Sequence, residues 1–418
     1  MGRRGHQAGG LDLKKIFQIA LGIVAAVGGF VDIGELVFNA QAGAHFGYQL
    51  LWAVVVGVIG IMVFAEMTGR VAAVAGRPVF DVLRMRMGIN VALVGLVASL
   101  MINLLTLAAE VGGVAIVLQL LFDVKIGTMI LLAVMGIVLI VYFVPFDGIE
   151  RIFGYLGCAL LVYVVAAVHL KPDWHDVAQG IAPSWHGSAL YAYFVVGVVG
   201  AALVPYEVYF YSSGGIEDGW TEKDLGLNRL NTVFGFGLGG ILSIALIMVS
   251  AQVLAPAQID PGYLGTTALG AQHAFGETGL LLALLGMLFA VGGAAVEVAF
   301  SGAYTLAQFA GWEWGKYRGP RGAPRFTLSW MIFFGLAFVI VETGVDPVLL
   351  TEYAVIFSVV ALPLTYLPVL LVARDRTFMG EHRNGLLGNV LGWLYFLIIL
   401  VVAVAAVPLM LITQGGSG

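Results

Sequence analysis

Asp32 and Glu35 stand three positions apart, with Ile33 and Gly34 between them, in a stretch that is otherwise apolar, and Glu207 closes the sequence Val204-Pro205-Tyr206-Glu207 in another. A spacing of three is about one helical turn, so Asp32 and Glu35 can face one cavity if the segment stays wound. Gly34 and Pro205 disturb the helical ladder next to these acids. A charge at the bilayer centre costs about 2.5–3.5 kcal/mol on the lenient insertion scale, so three cost on the order of 8–10 kcal/mol unless a cation, a proton or water offsets it. The chemistry expected of such acids is cation binding.

Composition sets the solvent in which these acids sit. Of the 418 residues, 60% are hydrophobic and 11% charged, against about 45–50% and 25% in a soluble domain. That much apolar surface calls for lipid. The net charge of −5 says little by itself, because in a membrane protein the placement of charge decides topology. A single cysteine, Cys158, excludes an internal disulfide and a cysteine-based metal site. The apolar run after Arg3, Arg4, Lys14 and Lys15 continues to Asp32 with no small-residue cleavage pattern, which argues against a signal peptide.

Windows of about 20 apolar residues predict eleven spans: 16–38, 48–68, 89–121, 127–146, 152–170, 188–212, 228–254, 277–310, 327–343, 348–371 and 387–412. The third and eighth exceed one straight crossing and are expected to tilt or project. Alternate connections are rich in arginine and lysine (Arg70 to Arg86, Arg151, Lys223 and Arg229, Lys316 to Arg325, Arg374 to Arg383), whereas the others hold only Lys125 and Lys171. The positive-inside rule then puts the N-terminus in the cytoplasm and the C-terminus outside a multi-pass cytoplasmic-membrane protein. Residues 1–15 form a tail, 16–371 a core of two halves (16–170 and 188–371), and 387–412 an additional helix. The interruptions fall in spans one and six. An offset of five inverts the halves, and paired broken helices at matching positions point to a midplane site. Most of the 57 glycines suit close helix packing.

The run from Asp32 to Trp52, and above all Gln41-Ala-Gly-Ala-His-Phe-Gly-Tyr-Gln-Leu-Leu-Trp52, resembles the first-helix signature of the Nramp metal-ion transporters (natural resistance-associated macrophage proteins). Gly200-Ala-Ala-Leu-Val-Pro-Tyr-Glu-Val-Tyr-Phe-Tyr-Ser-Ser213 looks like the sixth-helix signature. The resemblance implies an all-α LeuT-like fold, a five-plus-five inverted repeat with helices one and six broken and an eleventh helix appended. It places the family's binding Asp on Asp32, its binding Asn on Glu35, its sixth-helix Ala on Ala201 and its binding Met on Val204. Tyr206 and Glu207 stand where the family has His and Asn. Replacing Met by Val204 removes the soft thioether donor. Glu35 and Glu207 add hard oxygens. The third-helix proton acid aligns with Leu107, while Glu110 retains the neighbouring one. Tyr206 and Tyr211 replace histidines, and no Lys or Arg occurs between Arg325 and Arg374. The usual proton route is therefore expected to be dismantled.

Oxygen-only sites favour Mg²⁺, Ca²⁺ or Mn²⁺. Asp32, Glu35 and Glu207 are the expected ligands, with the carbonyls of Ile33, Ala201 and Ala202 completing the shell and Val204 widening the cavity for a partly hydrated ion. Two gates would open in turn around that ion, and Glu35 or Glu207 would carry any exchanged proton. Glu110, Tyr206, Tyr211 and Glu297 are candidate proton or gate residues, and Glu352 a candidate for an outer shell or exit path. A second reading makes the substrate an organic cation or amino acid, with Tyr206, Tyr209 and Tyr211 as an aromatic wall. A third makes the chain a sensor without transport. The blander reading of Glu66, Glu342 and Glu352 is contact with interfacial water, and that of Asn39 and Asn103 interhelical hydrogen bonding. The seven histidines show no ligand spacing. Asp173, His175 and Asp176 form a faint cation-collecting patch.

No Walker A loop, HExxH or GxSxG motif occurs, nor a soluble domain large enough for an ATPase. The reading is therefore not an enzyme and not a primary pump, with no cofactor, no nucleic acid and no ATPase partner; the partners are the metal substrate and the bilayer. The oligomeric state stays open. Membrane potential supplies about 2.3 kcal/mol per charge per 100 mV, enough to draw in a divalent cation without protons.

Overall fold

Helix ends fall where the sequence supplies a cap or a stop. The computed structural model describes residues 31–416, and among these there are helices and turns but no strand. Helix α1 (Ile33–Phe46) starts at Asp32, whose Oδ1 accepts the Glu35 N–H at 2.9 Å. Helix α2 (Leu51–Ala75) stops at Gly76, which is left-handed with φ of 61°, a conformation that glycine adopts without a Cβ penalty. Then come α3 (Val79–Met87), α4 (Ile89–Phe122) and α5 (Ile126–Phe143). Helices α6 (Phe146–Gly157) and α7 (Leu161–His169) run on through a 3₁₀ turn, and α8 (Trp174–Ile181) follows. The second half holds α9 (Ala189–Ala202), α10 (Pro205–Glu217), α11 (Leu225–Ala257), α12 (Leu264–Ala310), α13 (Pro324–Glu342) and α14 (Pro347–Ala373). Short α15 (Arg376–Met379) and then α16 (Leu386–Ile412) complete the chain.

Among the described residues, 10 rods are long and apolar enough to cross a bilayer, counting α6–α7 and α9–α10 as one each. They match the second to eleventh expected spans. The first span and the basic tail lie outside the described residues except for 31–38, which enter α1. Helix α12 has 47 residues but breaks at Gly276 (φ 64°, ψ −148°), so its crossing rod begins at 277 as expected. Helix α4, with 34 residues, is about 51 Å long at 1.5 Å per residue, well beyond a ~30 Å hydrocarbon core. Helices α3 and α8 are too short for a span-length window and were not anticipated. The acidic patch at 173–176 proves to be the start of α8: the Asp173 carboxylate caps it by accepting the His175 N–H at 2.8 Å, and His175 hydrogen-bonds Gln179.

Small residues set the approach of the central helices, as expected where lipid supplies no hydrophobic drive between them. Gly57 of α2 faces Ala202 and Val199 of α9, and Gly197 of α9 lies flat against the Phe38 ring of α1. Helix α1 packs along α11, α9 and α14, while α4 packs along α12 and α14. Two helices, α1 and α10, thus begin in mid-bundle rather than at its surface.

Candidate cation site

The second break follows from Pro205. A helix running through this point would bond the residue-205 N–H to the Ala201 carbonyl, and proline has no N–H. Helix α9 therefore closes at Leu203, whose N–H bonds the Val199 and Gly200 carbonyls, and Val204 is extended (φ −72°, ψ 125°) before α10 starts with Pro205 in its first turn. The Ala201 carbonyl thus loses the partner that a residue-205 N–H would supply. At the first break Asp32 is itself extended (φ −88°, ψ −179°) and is 2% exposed. Gly34 is small by necessity: a Cβ there would lie 2.9 Å from Val355 Cγ2 and 3.0 Å from Asp32 Oδ1.

Between the breaks lies a hollow of ≈ 10 Å³, lined among others by Asp32, Ile33, Val204, Tyr206, Thr106 and Ser358. That is about the space of one water. The expected widening at Val204 is not found, because the Tyr206 ring occupies the same region, buried, with its hydroxyl 3.3 Å from Asp32 Oδ2.

The three acids are brought near one another but not onto one point. Glu35 is in the first turn of α1, where Oε2 accepts short hydrogen bonds from Asn39 and from Ser243 of α11. Glu207, in the first turn of α10, meets the carboxyl of Glu297 on α12 within hydrogen-bonding reach. No group of three Asp, Glu, His or Cys among the described residues is placed to hold a single metal ion. The expectation of Asp32, Glu35 and Glu207 converging as one ligand set is thus corrected for this structure. The cause is local: Asp32 lies outside the helix as its cap, so the one-turn spacing does not align it with Glu35. Glu110 approaches from α4, its Oε1 accepting the Ile33 N–H at 3.2 Å. One oxygen of each acid around Asp32 (Glu35 Oε1, Glu110 Oε2 and Glu207 Oε2) is buried and accepts no hydrogen bond from a described residue.

Other candidates sort clearly. Ala201 and Ala202 are buried at the end of α9 but do not line the hollow. Tyr211 turns away, its hydroxyl 2.9 Å from Asn228 Oδ1, and Tyr209 packs edge-on against Phe80 with its hydroxyl near Thr365. Neither is a gate at the hollow or part of an aromatic wall. Glu352 is buried and accepts a 2.7 Å bond from Gln41, joining α14 to α1, which the interfacial-water reading did not foresee. Glu66 pairs with Arg70 at 3.0 Å. Asn39 bonds within its own helix rather than across helices. Sequence reasoning missed Ser243, Thr106, Thr351 and Ser358, since a lone hydroxyl in an apolar helix carries no signal of its own. Ser358 is the most telling of these: it lines the hollow and its Oγ has no partner among the described residues.

A membrane protein whose described residues are helical throughout, with α1 starting and α9–α10 interrupted beside a buried acidic hollow, has the LeuT-like fold. The family model described as natural resistance-associated macrophage protein-like matches residues 22–408. The chain belongs to the Nramp family. It is 29% identical over 401 residues to divalent metal cation transporter MntH 1 of Pseudomonas aeruginosa, covering 90% of this chain and 87% of that one. It is 26% identical to divalent metal cation transporter MntH of Deinococcus radiodurans, covering 94% and 90%. In fold it resembles the Eremococcus coleocola manganese transporter crystallised with an aromatic bis-isothiourea compound (TM-score 0.79, 19% identity, 95% of this chain and 87% of that one). More distantly it resembles MHP1, a nucleobase-cation-symport-1 family transporter (TM-score 0.56, 15% identity, 93% and 92%).

Proposed function

We propose that this protein carries a hard divalent cation, Mg²⁺ or Mn²⁺, across the cytoplasmic membrane by alternating access, as a secondary transporter or uniporter with its N-terminus in the cytoplasm and its C-terminus outside. The observation that carries the proposal is the Asp32 carboxylate at the mid-bundle start of α1, in a hollow shared with the α10 break and offering oxygen donors without a thioether. Its relatives' names, divalent metal cation transporter and manganese transporter, support the substrate class. Asp32 is the anchoring ligand. The Ile33 and Ala201 carbonyls and the Ser358 hydroxyl are neutral donors within the same break region. Glu35, Glu110 and Glu207 act through their unpartnered oxygens on the waters that a Mg²⁺-like ion keeps. A hydrated ion exceeds ≈ 10 Å³, so α1 and α10 separate to admit it and Tyr206 leaves Asp32. The Gln41–Glu352 bond closes one end of the path.

The organic-cation reading is less well supported, because the hollow is small and only Tyr206 of the three tyrosines lines it. The test is flux into proteoliposomes with Mg²⁺, Mn²⁺ and Ca²⁺, comparing wild type with Asp32→Asn. Asparagine caps a helix about as well as aspartate, so the fold is kept while the charge is lost. Divalent flux should collapse; flux at the wild-type level would discard the site.

A further inference from the structure

The molecule has a second cavity besides the cation hollow. A crevice of ≈ 320 Å³ lies between the end of α5, α12, α13 and the connection 311–323, a size at the lower end of the ~300–1,000 Å³ range of ligand pockets. Its inner wall is aromatic (Phe146, Phe300, Phe326 and Trp330), and its lining includes Lys316 and Arg318 but no carboxylate. Apolar, exposed side chains surround it. The turn Phe143-Val144-Pro145-Phe146 carries no polar side chain, Phe143 is 73% exposed, and Leu328 and Ile332 on the adjoining face of α13 are also exposed. Such a turn suits the membrane interface better than water.

The cations at the rim differ in how they are committed. Lys316 is satisfied: its Nζ lies 3.5 Å from both Glu150 and Asp218 and over the Phe146 ring at 4.9 Å. Burial disfavours its charge, but those carboxylates outweigh it and hold Lys316 above the ordinary lysine range. Among the described residues Arg318 pairs only with Glu313, itself largely exposed, and such a pair is worth little. Arg321, next to the lining Pro320, is exposed and forms no ion pair among the described residues. Cations at the rim repel a divalent substrate and attract an anion.

We propose that this crevice binds one anionic phospholipid, with an acyl chain along the exposed rings of Tyr142 and Phe143 and the phosphate held by Arg318 and Arg321. Basic pockets between membrane helices recognise lipid headgroups in this way. The same connection carries Lys316, which is paired with Asp218 at the end of α10, so the lipid steadies the loop that anchors the broken helix.

Native mass spectrometry of the full chain, released from detergent with phosphatidylglycerol, phosphatidylcholine or inorganic phosphate, tests the assignment. One phosphatidylglycerol should be retained per chain, at least tenfold more tightly than phosphatidylcholine. Retention should fall at least tenfold in Arg318→Gln/Arg321→Gln, and also in Thr327→Phe, which fills the crevice without touching charge. Equal retention of the two lipids, binding of phosphate alone, or undiminished phosphatidylglycerol retention in either folded variant overturns the proposal. If one variant fails to fold, the lipid comparison on wild type still decides.

Discussion

Helices α1 and α10 both start beside the hollow, but α1 starts on Asp32 whereas α10 starts on Val204 and Pro205. Each N-terminus presents unpaired N–H groups and the positive end of a helix dipole, which would oppose a bound cation. At α1 the Asp32 carboxylate answers the dipole directly by taking the Glu35 N–H and still keeps Oδ2 toward the hollow. At α10 no side chain among the described residues caps the helix; proline removes one donor, and the acid, Glu207, sits in the first turn facing Glu297. On the proposed function the two breaks divide the work. One break supplies a charge, and the other supplies a freed carbonyl and an acid committed to a neighbour.

That division predicts unequal consequences. Asp32→Asn should lower divalent flux at least about a hundredfold with little change in thermal midpoint, and Asp32→Ala should in addition cost about 1 kcal/mol of stability through the lost cap. Glu207→Gln should cost less, on the order of 10–100-fold in apparent metal affinity, as for partners that orient ligands rather than bind first. Concentration dependence of flux for both variants checks the order. A Glu207→Gln defect equal to that of Asp32→Asn would mean that the two breaks contribute alike.

Much of this contrast was legible in the sequence. The apolar windows located the described spans, and Pro205 marked where α10 begins, since a missing N–H interrupts the ladder in any fold; Gly34 instead lies inside α1, kept small by Val355 and Asp32. The Asp32–Glu35 spacing was misleading because a cap residue is outside the helical phase, so one turn of separation does not bring its side chain onto the face of the residue three positions on. The partners Ser243 and Glu297 lie 208 and 90 positions from the acids that they hold; only the packing of α1 on α11 and of α10 on α12 brings them there.

Ser243 gives a milder way to probe the first break. Its hydroxyl bonds Glu35, and Ser243→Ala leaves that carboxyl with Asn39 alone among the described residues. The expected loss is about 1 kcal/mol in stability, read as a lowered thermal midpoint in detergent, with ion preference unchanged. A changed preference among Mg²⁺, Mn²⁺ and Ca²⁺ would place Glu35 in direct contact with the ion.

The smallest effect is expected at Val204, and it bears on why the second break carries no ligand side chain of its own. Val204 lines the hollow from the extended turn between α9 and α10, where a longer side chain without β-branching would reach toward Asp32. Val204→Met keeps the position apolar and adds a thioether, a donor that favours softer ions such as Cd²⁺ over Mg²⁺. Because Tyr206 already fills part of the space, the extra side chain competes with the ring as well as with water. The predicted outcome is a few-fold gain in Cd²⁺ competition against Mn²⁺ uptake and a similar loss of Mg²⁺ flux. If Val204→Met leaves both unchanged, the ion does not pass close to the α10 break, and the selectivity must be set at α1 alone.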